Sequence, residues 1–462
     1  MGDSRAVLSG RTIAAAGVVL LLAALLYALA AEARIGYDTA YQLVWGRELL
    51  DGALPGYDVR LAPTPHPLQV LVAIPLALLG QGADEAMRAL SLASFAALGA
   101  ALYRAGTLLF SAPVGWLAAA LVLTRPHLLE LAYLADADIP AAALAAWAAV
   151  AALRGRAAVA LGLLALAVLL RPEAWVLSLA YLAWLAWSAR AIRPGLVALA
   201  VAAPLLWVLS DLAVTGDLLW SLHHTRTGTE LLDRDTGVGS AVSQLPRHLN
   251  FLLGSQVLVV ALLGLIAGLL AARERMWGLV AVLVLLGGSF GVLAVAGLSL
   301  QPRYLTSLAA AVVLCAAIGG LGWTAVASAP WRIAGIAALV LLAAGLVLDA
   351  RDFSDVRGRL VDDSRQLEAL ARGPARDALR DCGPVAVPTI RPIPYLALWT
   401  DTDPAGYVES PAPARTLVTP TATSESWAGG GGEGQPPRVV VAPPPELAPV
   451  AQDADWIVAS AC

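Results

Sequence analysis

Apolar runs long enough to cross a bilayer recur from the N-terminus to about Asp349, separated by short polar turns. A helix needs about 17 to 25 such residues to span hydrocarbon, and a backbone in lipid must satisfy its own hydrogen bonds, which helices do. The chain therefore reads as an all-α polytopic membrane domain with lipid around it. Composition agrees: 59% of the 462 residues are hydrophobic and 14% charged, with mean hydropathy +0.73. A soluble domain is nearer half apolar and a quarter charged. The net charge of -4 is too small to imply a nucleic-acid partner.

The expected spans are 12–31, 87–109, 113–132, 138–153, 157–170, 173–189, 195–214, 250–272, 276–297, 304–326 and 333–349. All basic residues are arginine, and clusters of them recur at alternate turns: Arg5 and Arg11, Arg104, Arg154 and Arg156, Arg190 and Arg193, Arg273 and Arg275, Arg332. The excess of positive charge on cytoplasmic loops puts these turns and the N-terminus inside. The complementary turns, from 32–86 to Gln301–Tyr304, then lie outside, as does the polar tail. Counting the apolar stretch 68–80 as a crossing would invert every later turn. Short and interrupted by Pro75, it reads as a juxtamembrane helix instead. The first apolar run is longer than the core of a signal peptide, which is about 7 to 15 residues, so it reads as a retained anchor. The expectation is a plasma-membrane protein with about eleven spans plus juxtamembrane helices.

Two domains follow: 1–350 in the membrane, and 351–462 as a small α/β domain outside it. In the tail, 356–381 alternates charge at helical spacing, with Leu360, Leu367, Leu370 and Leu379 as an apolar stripe. Short strand-like runs follow at Val385–Val387, Arg438–Val441 and Trp456–Val458. The glycines at 429–432 lack the Lys-Ser/Thr of a phosphate loop and read as a flexible connection. Cys382 precedes the first strand and Cys462 ends the last; in an extracytoplasmic domain these two suit a disulfide. Cys315 lies inside a span.

The polar outliers gather on the outer side. Asp38 lies at the mouth of the first span, where a carboxylate is costly unless it has work to do. Asp136 and Asp138 occupy the second outer loop; Asp138 before Pro140 also suits a helix cap. Arg171 and Glu173 form the third loop and can pair with each other. Arg303 and Tyr304 begin a span from outside, where an arginine can also simply snorkel. Arg60 and His66 close the first loop. His223 and His224 sit in the fourth, and as sequence neighbours they point apart and make a poor metal pair. Arginines on the outer side run against the positive-inside bias and call for something anionic there, such as a lipid phosphate.

Taken in order, Tyr37-Asp38-Thr39-Ala40-Tyr41, Gly52 with Pro55-Gly56-Tyr57-Asp58, Pro63-Thr64-Pro65-His66-Pro67-Leu68, Asp136-Ala137-Asp138-Ile139-Pro140, Leu169-Leu170-Arg171-Pro172-Glu173-Ala174-Trp175 and Pro302-Arg303-Tyr304-Leu305 resemble the GT-C membrane glycosyltransferases. The likeness is to the protein-mannosyltransferase and aminoarabinose-transferase group, glycosyltransferase family 39-like, and it runs through about residue 310. It implies an inverting transferase that takes a hexose or pentose from a polyprenyl-phosphate carrier. The acceptor would be a hydroxyl of a glycan, lipid or protein on the outer face. Asp38 stands at the family's catalytic carboxylate, with Asp138 as second acid and Asp136 beside it; Arg303, Tyr304, Arg171, Arg60 and His66 are candidates for the donor phosphate, and Glu173 for a supporting role. Thr39 follows Asp38 where the family often has a second acid, which leaves a divalent metal open and no cofactor certain.

The chemistry is consistent with that reading. A carboxylate takes the acceptor's proton as the anomeric bond breaks, cations stabilise the leaving phosphate, and a single displacement inverts the centre. A lipid-linked glycan transporter or flippase expects charge at midplane and internal repeats; here the spans are almost free of charge at their centres, the acids cluster at one face, and no internal repeat is visible. A non-catalytic cell-envelope partner remains the other alternative.

Overall fold

The computed structural model describes residues 10–29, 33–189, 193–361, 365–409, 414–421 and 440–462. The helices run α1 (Gly10–Leu29), α2 (Tyr37–Leu50), α3 (Pro67–Ala77), α4 (Ala83–Leu109), α5 (Ala112–Leu123), α6 (Pro126–Tyr133) and α7 (Asp138–Leu153). Next come α8 (Ala157–Val168), α9 (Trp175–Ala189), α10 (Pro194–Thr215), α11 (Trp220–Leu231), α12 (Val238–Leu253) and α13 (Ser255–Ala271). Then follow α14 (Arg273–Val295), α15 (Thr306–Leu321), α16 (Ala329–Val361), α17 (Arg365–Arg372), α18 (Arg376–Asp381) and α19 (Ile393–Thr400). Among the described residues, five helices are long and apolar enough to cross a membrane, or up to seven if each of two bent pairs counts as one span. Four further apolar helices are shorter: Val18–Leu29, α3, α7 and α8. The chain is a multi-pass membrane protein.

Two breaks depart from the uniform spans expected from hydropathy. The stretch 113–132 is not one helix but α5 and α6, bent by 63°. Pro126 has no N–H to continue the helix and pushes Arg125 into an extended conformation, φ -84° and ψ 116°. The polar stretch 215–249 is not a loop but folds as α11 and α12, and α12 meets α13 at 108°. Gly254 makes that corner at φ 82°, a conformation open to glycine. The outer stretch 32–86 likewise folds as α2 and α3, with Pro75 inside α3. The centre of the bundle is α15, which packs on α13, α5 and α16. It comes this close because Gly264 and Gly319 face each other's backbones where any side chain would collide.

The tail carries a five-stranded sheet of order β2-β1-β3-β5-β4. Its strands are β1 (Val385–Ala386), β2 (Tyr407–Val408), β3 (Thr416–Pro420), β4 (Ala448–Gln452) and β5 (Trp456–Ser460). β1 pairs in parallel with β2 and β3, while β5 is antiparallel to β3 and β4. The strand expected at 438–441 is only half inside the described residues, and Val440 and Val441 belong to no strand. The glycines at 429–432 lie outside the described residues. Helix α16 continues unbroken past Asp349 to Val361, so the expected charged helix begins as an extension of the last span. A disulfide joins Cys382 to Cys462 across 80 residues of chain.

The tail rests on α2. Tyr395 Oη donates to the Ile35 carbonyl at 3.0 Å, and Arg47 donates to the carbonyls of Ala397 and Thr402 at 3.2 and 2.6 Å. Arg372 pairs with Asp84 at 3.0 Å. Leu367, Leu370 and Leu379 are buried in a core shared with Val44 of α2 and Ala73 of α3. This shared core puts α19 beside the first turn of α2.

Candidate active site

Asp38 does not end the first span; it stands in the first turn of α2, directly after the extended Gly36. A carboxylate there is favoured by the N-terminal end of the helix dipole. Gly36 donates its N–H to the Leu134 carbonyl at 2.6 Å, and Thr39 Oγ1 lies 3.1 and 3.0 Å from the carbonyls of Leu134 and Ala135. Gln69 of α3 donates to Ala135 O at 2.9 Å. These bonds draw the loop between α6 and α7 against α2. The approach is so close that a Cβ at position 36 would lie 2.5 Å from Asp136 Oδ1. Thr39, which displaced the second acid in the sequence motif, thus helps to bring a second acid from elsewhere.

Arg303, in the short 3-10 turn Pro302–Leu305 ahead of α15, joins the two acids. Its Nη1 lies 2.7 Å from Asp38 Oδ2 and 3.7 Å from Asp136 Oδ2, while its buried Nε has no hydrogen-bond partner among the described residues. Arg171, extended ahead of Pro172, approaches Glu173 at 2.9 Å and Asp138 at 3.4 Å through Nε. The Tyr304 ring lies under both cations, 4.3 Å from the Arg171 guanidinium and 5.6 Å from that of Arg303.

These residues surround a cavity of ≈ 340 Å³. Asp38, Asp136, Arg171, Arg303, Tyr304 and His66 line it. Asp138 and Glu173 do not; they hold Arg171 from behind. Arg60 is placed elsewhere: it is 61% exposed and pairs with Glu409 of the tail, so it drops out of the phosphate set. His224 lines the cavity, with Nε2 2.8 Å from the Ala62 carbonyl, whereas His223 faces Asp217 at the exposed surface.

The electrostatics separate the two carboxylates. Burial alone would raise the Asp38 carboxyl, but the Arg303 guanidinium, as charge and as hydrogen-bond donor, acts with neighbours that include Arg234 to keep Asp38 below its ordinary value. Burial pushes Asp136 up to about 7, reinforced by Asp38 and Asp138 and opposed by Arg303. Burial and the neighbouring Arg171 lower His66 to about 3, so the ring is neutral. A neutral ring brings no charge to a phosphate. Burial opposes the Arg171 charge, but Asp138 and Glu173 restore it and hold the guanidinium more firmly protonated than usual. Among the described residues no three His, Cys, Asp or Glu side chains gather as a metal site, and the Arg303 guanidinium occupies the position between Asp38 and Asp136.

No family model and no curated protein matches the sequence. Solved structures do. ArnT from Cupriavidus metallidurans bound to undecaprenyl phosphate superposes with a TM-score of 0.57 at 14% identity, covering 98% of both chains. The apo state of ArnT from Cupriavidus metallidurans gives a TM-score of 0.60 at 13% identity, covering 98% of this chain and 99% of that one. The fold is the ArnT fold. The resemblance read from motifs stopped near residue 310, but the likeness to ArnT extends over the tail, which therefore belongs to the same architecture.

Three cavity-lining arginines were not singled out from sequence: Arg34, Arg234 and Arg391. Arg391 comes from the tail, just ahead of α19. Its signal was faint, since nothing in the sequence says that the tail folds back onto α2.

Proposed function

We propose that this chain is an inverting glycosyltransferase that moves a sugar from a polyprenyl-phosphate carrier to an acceptor hydroxyl at the outer face of the membrane. The observation that carries this reading is the cavity itself. A carboxylate held ionised by an arginine faces a wall of further arginines, in a fold shared with an ArnT bound to undecaprenyl phosphate. In the proposed topology each of the eleven expected spans contains one of the apolar helices, α2 and α3 are juxtamembrane, the N-terminus is cytoplasmic, and residues 351–462 form an extracytoplasmic domain.

In the reaction, the acceptor oxygen attacks the anomeric carbon while the bond from that carbon to the phosphate oxygen breaks. The acceptor proton passes to Asp38, and the electron pair leaves with the polyprenyl phosphate. Asp38 is a weak base, which suffices because the acceptor hydroxyl becomes acidic as its new bond forms. Asp136 shares Arg303 through a longer contact, 3.7 Å against 2.7 Å to Asp38. Arg303 and Arg171 face the developing phosphate charge, with Asp138 and Glu173 fixing the Arg171 fork.

Incubating the purified protein with a panel of polyprenyl-phosphate hexoses and pentoses and hydroxyl acceptors tests this, with the product anomer read by NMR. Inverted product, reduced by about 10²- to 10⁴-fold in Asp38→Asn, is expected for loss of a general base. Retention of configuration, or an Asn variant with near-normal turnover, rejects the mechanism; transfer from no donor rejects the reading.

A further inference from the structure

The arginines around the cavity are not partnered alike. Arg303 is matched by Asp38 and Asp136, and Arg171 by Asp138 and Glu173. Arg34 Nη1 donates to the Tyr395 hydroxyl at 3.2 Å. Arg234 and Arg391 also line the cavity, yet among the described residues neither guanidinium meets a carboxylate or makes a hydrogen bond. Both are half-buried.

We propose that Arg234 and Arg391 form a clamp for a phosphate group across the seam between the membrane part and the tail, so that the tail supplies part of the substrate site. The clamp rests on the reading above in taking the carrier's phosphate as its ligand. Two like charges turned into one cavity with no carboxylate in contact among the described residues are costly; burial adds to the cost at Arg234, and the more distant Asp38 offsets only part of it. An anion between them removes that cost. A phosphate monoester suits two guanidinium forks because it carries close to two charges on three oxygens, whereas a carboxylate offers one charge to one fork.

The two arginines are fixed rather than trailing. Arg234 follows Asp233, a left-handed residue at φ 47°, and its N–H bonds the Thr229 carbonyl at 3.0 Å, which closes the end of α11. Arg391 precedes Pro392 at the start of α19, and α19 is tied to α2 through Arg47 to Ala397 and to the segment just ahead of α2 through Tyr395 to Ile35. Because α2 also carries Asp38, the tail arginine and the proposed base are held by the same helix. Arg303, by contrast, is already engaged by Asp38 at 2.7 Å. As the anomeric bond breaks, a phosphodiester with one charge becomes a monoester approaching two. The clamp therefore grips the leaving group more tightly than the donor, which is the direction that lowers a barrier.

The test is binding to purified full-length protein in detergent, by thermal shift and by competition. The probes are polyprenyl monophosphate, the same polyprenol without phosphate, and inorganic phosphate. Arg391→Gln and Arg234→Gln should each weaken polyprenyl monophosphate binding at least tenfold and leave polyprenol unchanged, and Arg391→Lys should recover part of the loss. Competition by inorganic phosphate would show a clamp that reads the head alone; its absence, with the variant losses present, would show that the head is read only on its lipid. Binding of polyprenyl monophosphate within twofold of wild type in both Gln variants overturns the clamp, and if Arg391→Gln fails to fold, an Arg391→Lys protein with undiminished affinity does the same. The two proposals fail separately. Wild type that binds polyprenyl phosphate but transfers no sugar ends the transferase reading and keeps the clamp. Wild type that transfers sugar, beside variants that bind normally, ends only the clamp.

Discussion

Two arginine–aspartate pairs of nearly equal length serve opposite ends. Arg125 lies 2.6 Å from Asp349, and Arg303 lies 2.7 Å from Asp38. The first is sealed: Arg125 is 2% exposed, its Nη1 also reaches the Leu253 carbonyl at 3.0 Å, and its Nε reaches the Leu121 carbonyl at 3.2 Å. Gln256 bonds both Asp349 oxygens. One charge meets one charge, and two carbonyls and the Thr124 hydroxyl, 3.4 Å from Nη2, take up further donors. The second pair borders a cavity, shares its cation with a further acid, leaves Arg303 Nε without a partner among the described residues, and has further arginines nearby. The sealed pair sits where both bent helix pairs break, at Arg125 between α5 and α6 and beside Gly254 between α12 and α13. Those breaks steer α6 toward Asp136 and α12 toward the turn that carries Arg303. A balanced, dry pair holds geometry; an unbalanced one awaits a ligand.

The largest effect should come from unbalancing the sealed pair. Arg125→Met leaves a buried carboxylate without its cation and should cost about 3–5 kcal/mol of stability. Arg125→Met combined with Asp349→Leu should return most of it, because an apolar pair of similar size replaces a buried ion pair at little cost. Chemical unfolding in detergent measures both. A single variant that loses under about 1 kcal/mol would erase the distinction between the two pairs.

Removing the fork from the open pair should act on turnover instead. Arg303→Lys keeps a charge near Asp38 but loses planar recognition. A lost charge-assisted hydrogen bond of about 1.5–3 kcal/mol corresponds to roughly a ten- to hundredfold fall in turnover. Unfolding should be unchanged. An unimpaired Lys variant would mean that Arg303 only snorkels.

The contrast also separates what sequence can tell from what it cannot. Helix-length apolar runs announced the membrane bundle, because lipid leaves the backbone few alternatives. Asp38, Asp136, Arg171, Arg303 and Tyr304 were legible since each sits where a charge or ring at a helix mouth is conspicuous. Arg125 and Asp349 were not, because one lies inside an expected uniform span and the other at the end of a different one, and only the bends at Pro126 and Gly254 bring them together. Arg391 was hidden for a similar reason: its partner surface is 350 residues away in the chain, as the Arg47 contact to Ala397 measures. Arg60 misled by sharing a loop with His66 while pointing away from the cavity.

A gentler test uses pH. The Asp136 carboxyl, raised to about 7 in the folded protein, has an ordinary value of 3.8. Between those values the folded chain holds a proton that the unfolded chain releases. The stabilisation is therefore complete below about 4 and is lost as pH rises through about 7. Melting temperature in detergent should fall from pH 5 to pH 8, and Asp136→Asn should flatten that slope. The Arg125–Asp349 variants should leave the slope intact, since neither group is part of the cavity. An equally steep slope in Asp136→Asn would assign the titration to another group.

The smallest effect should be at Arg60, and its smallness is informative. Arg60 and Glu409 form the third kind of pair in the molecule, 61% and 41% exposed and joined across the seam between membrane part and tail. Water and salt screen such a pair, and holding two long side chains together costs entropy, so it contributes roughly 0–1 kcal/mol. Arg60→Ala should therefore leave the melting temperature and turnover close to wild type, even though the residue bridges the same two regions as Arg391. The seam itself is held by α19 on α2, through Arg47, Tyr395 and a shared apolar core. A loss of turnover beyond about tenfold in Arg60→Ala, or about 1.4 kcal/mol of barrier, would show that this exposed bridge sets the position of the tail. Arg391 would then depend on it, and the seam would be a hinge rather than a fixed joint.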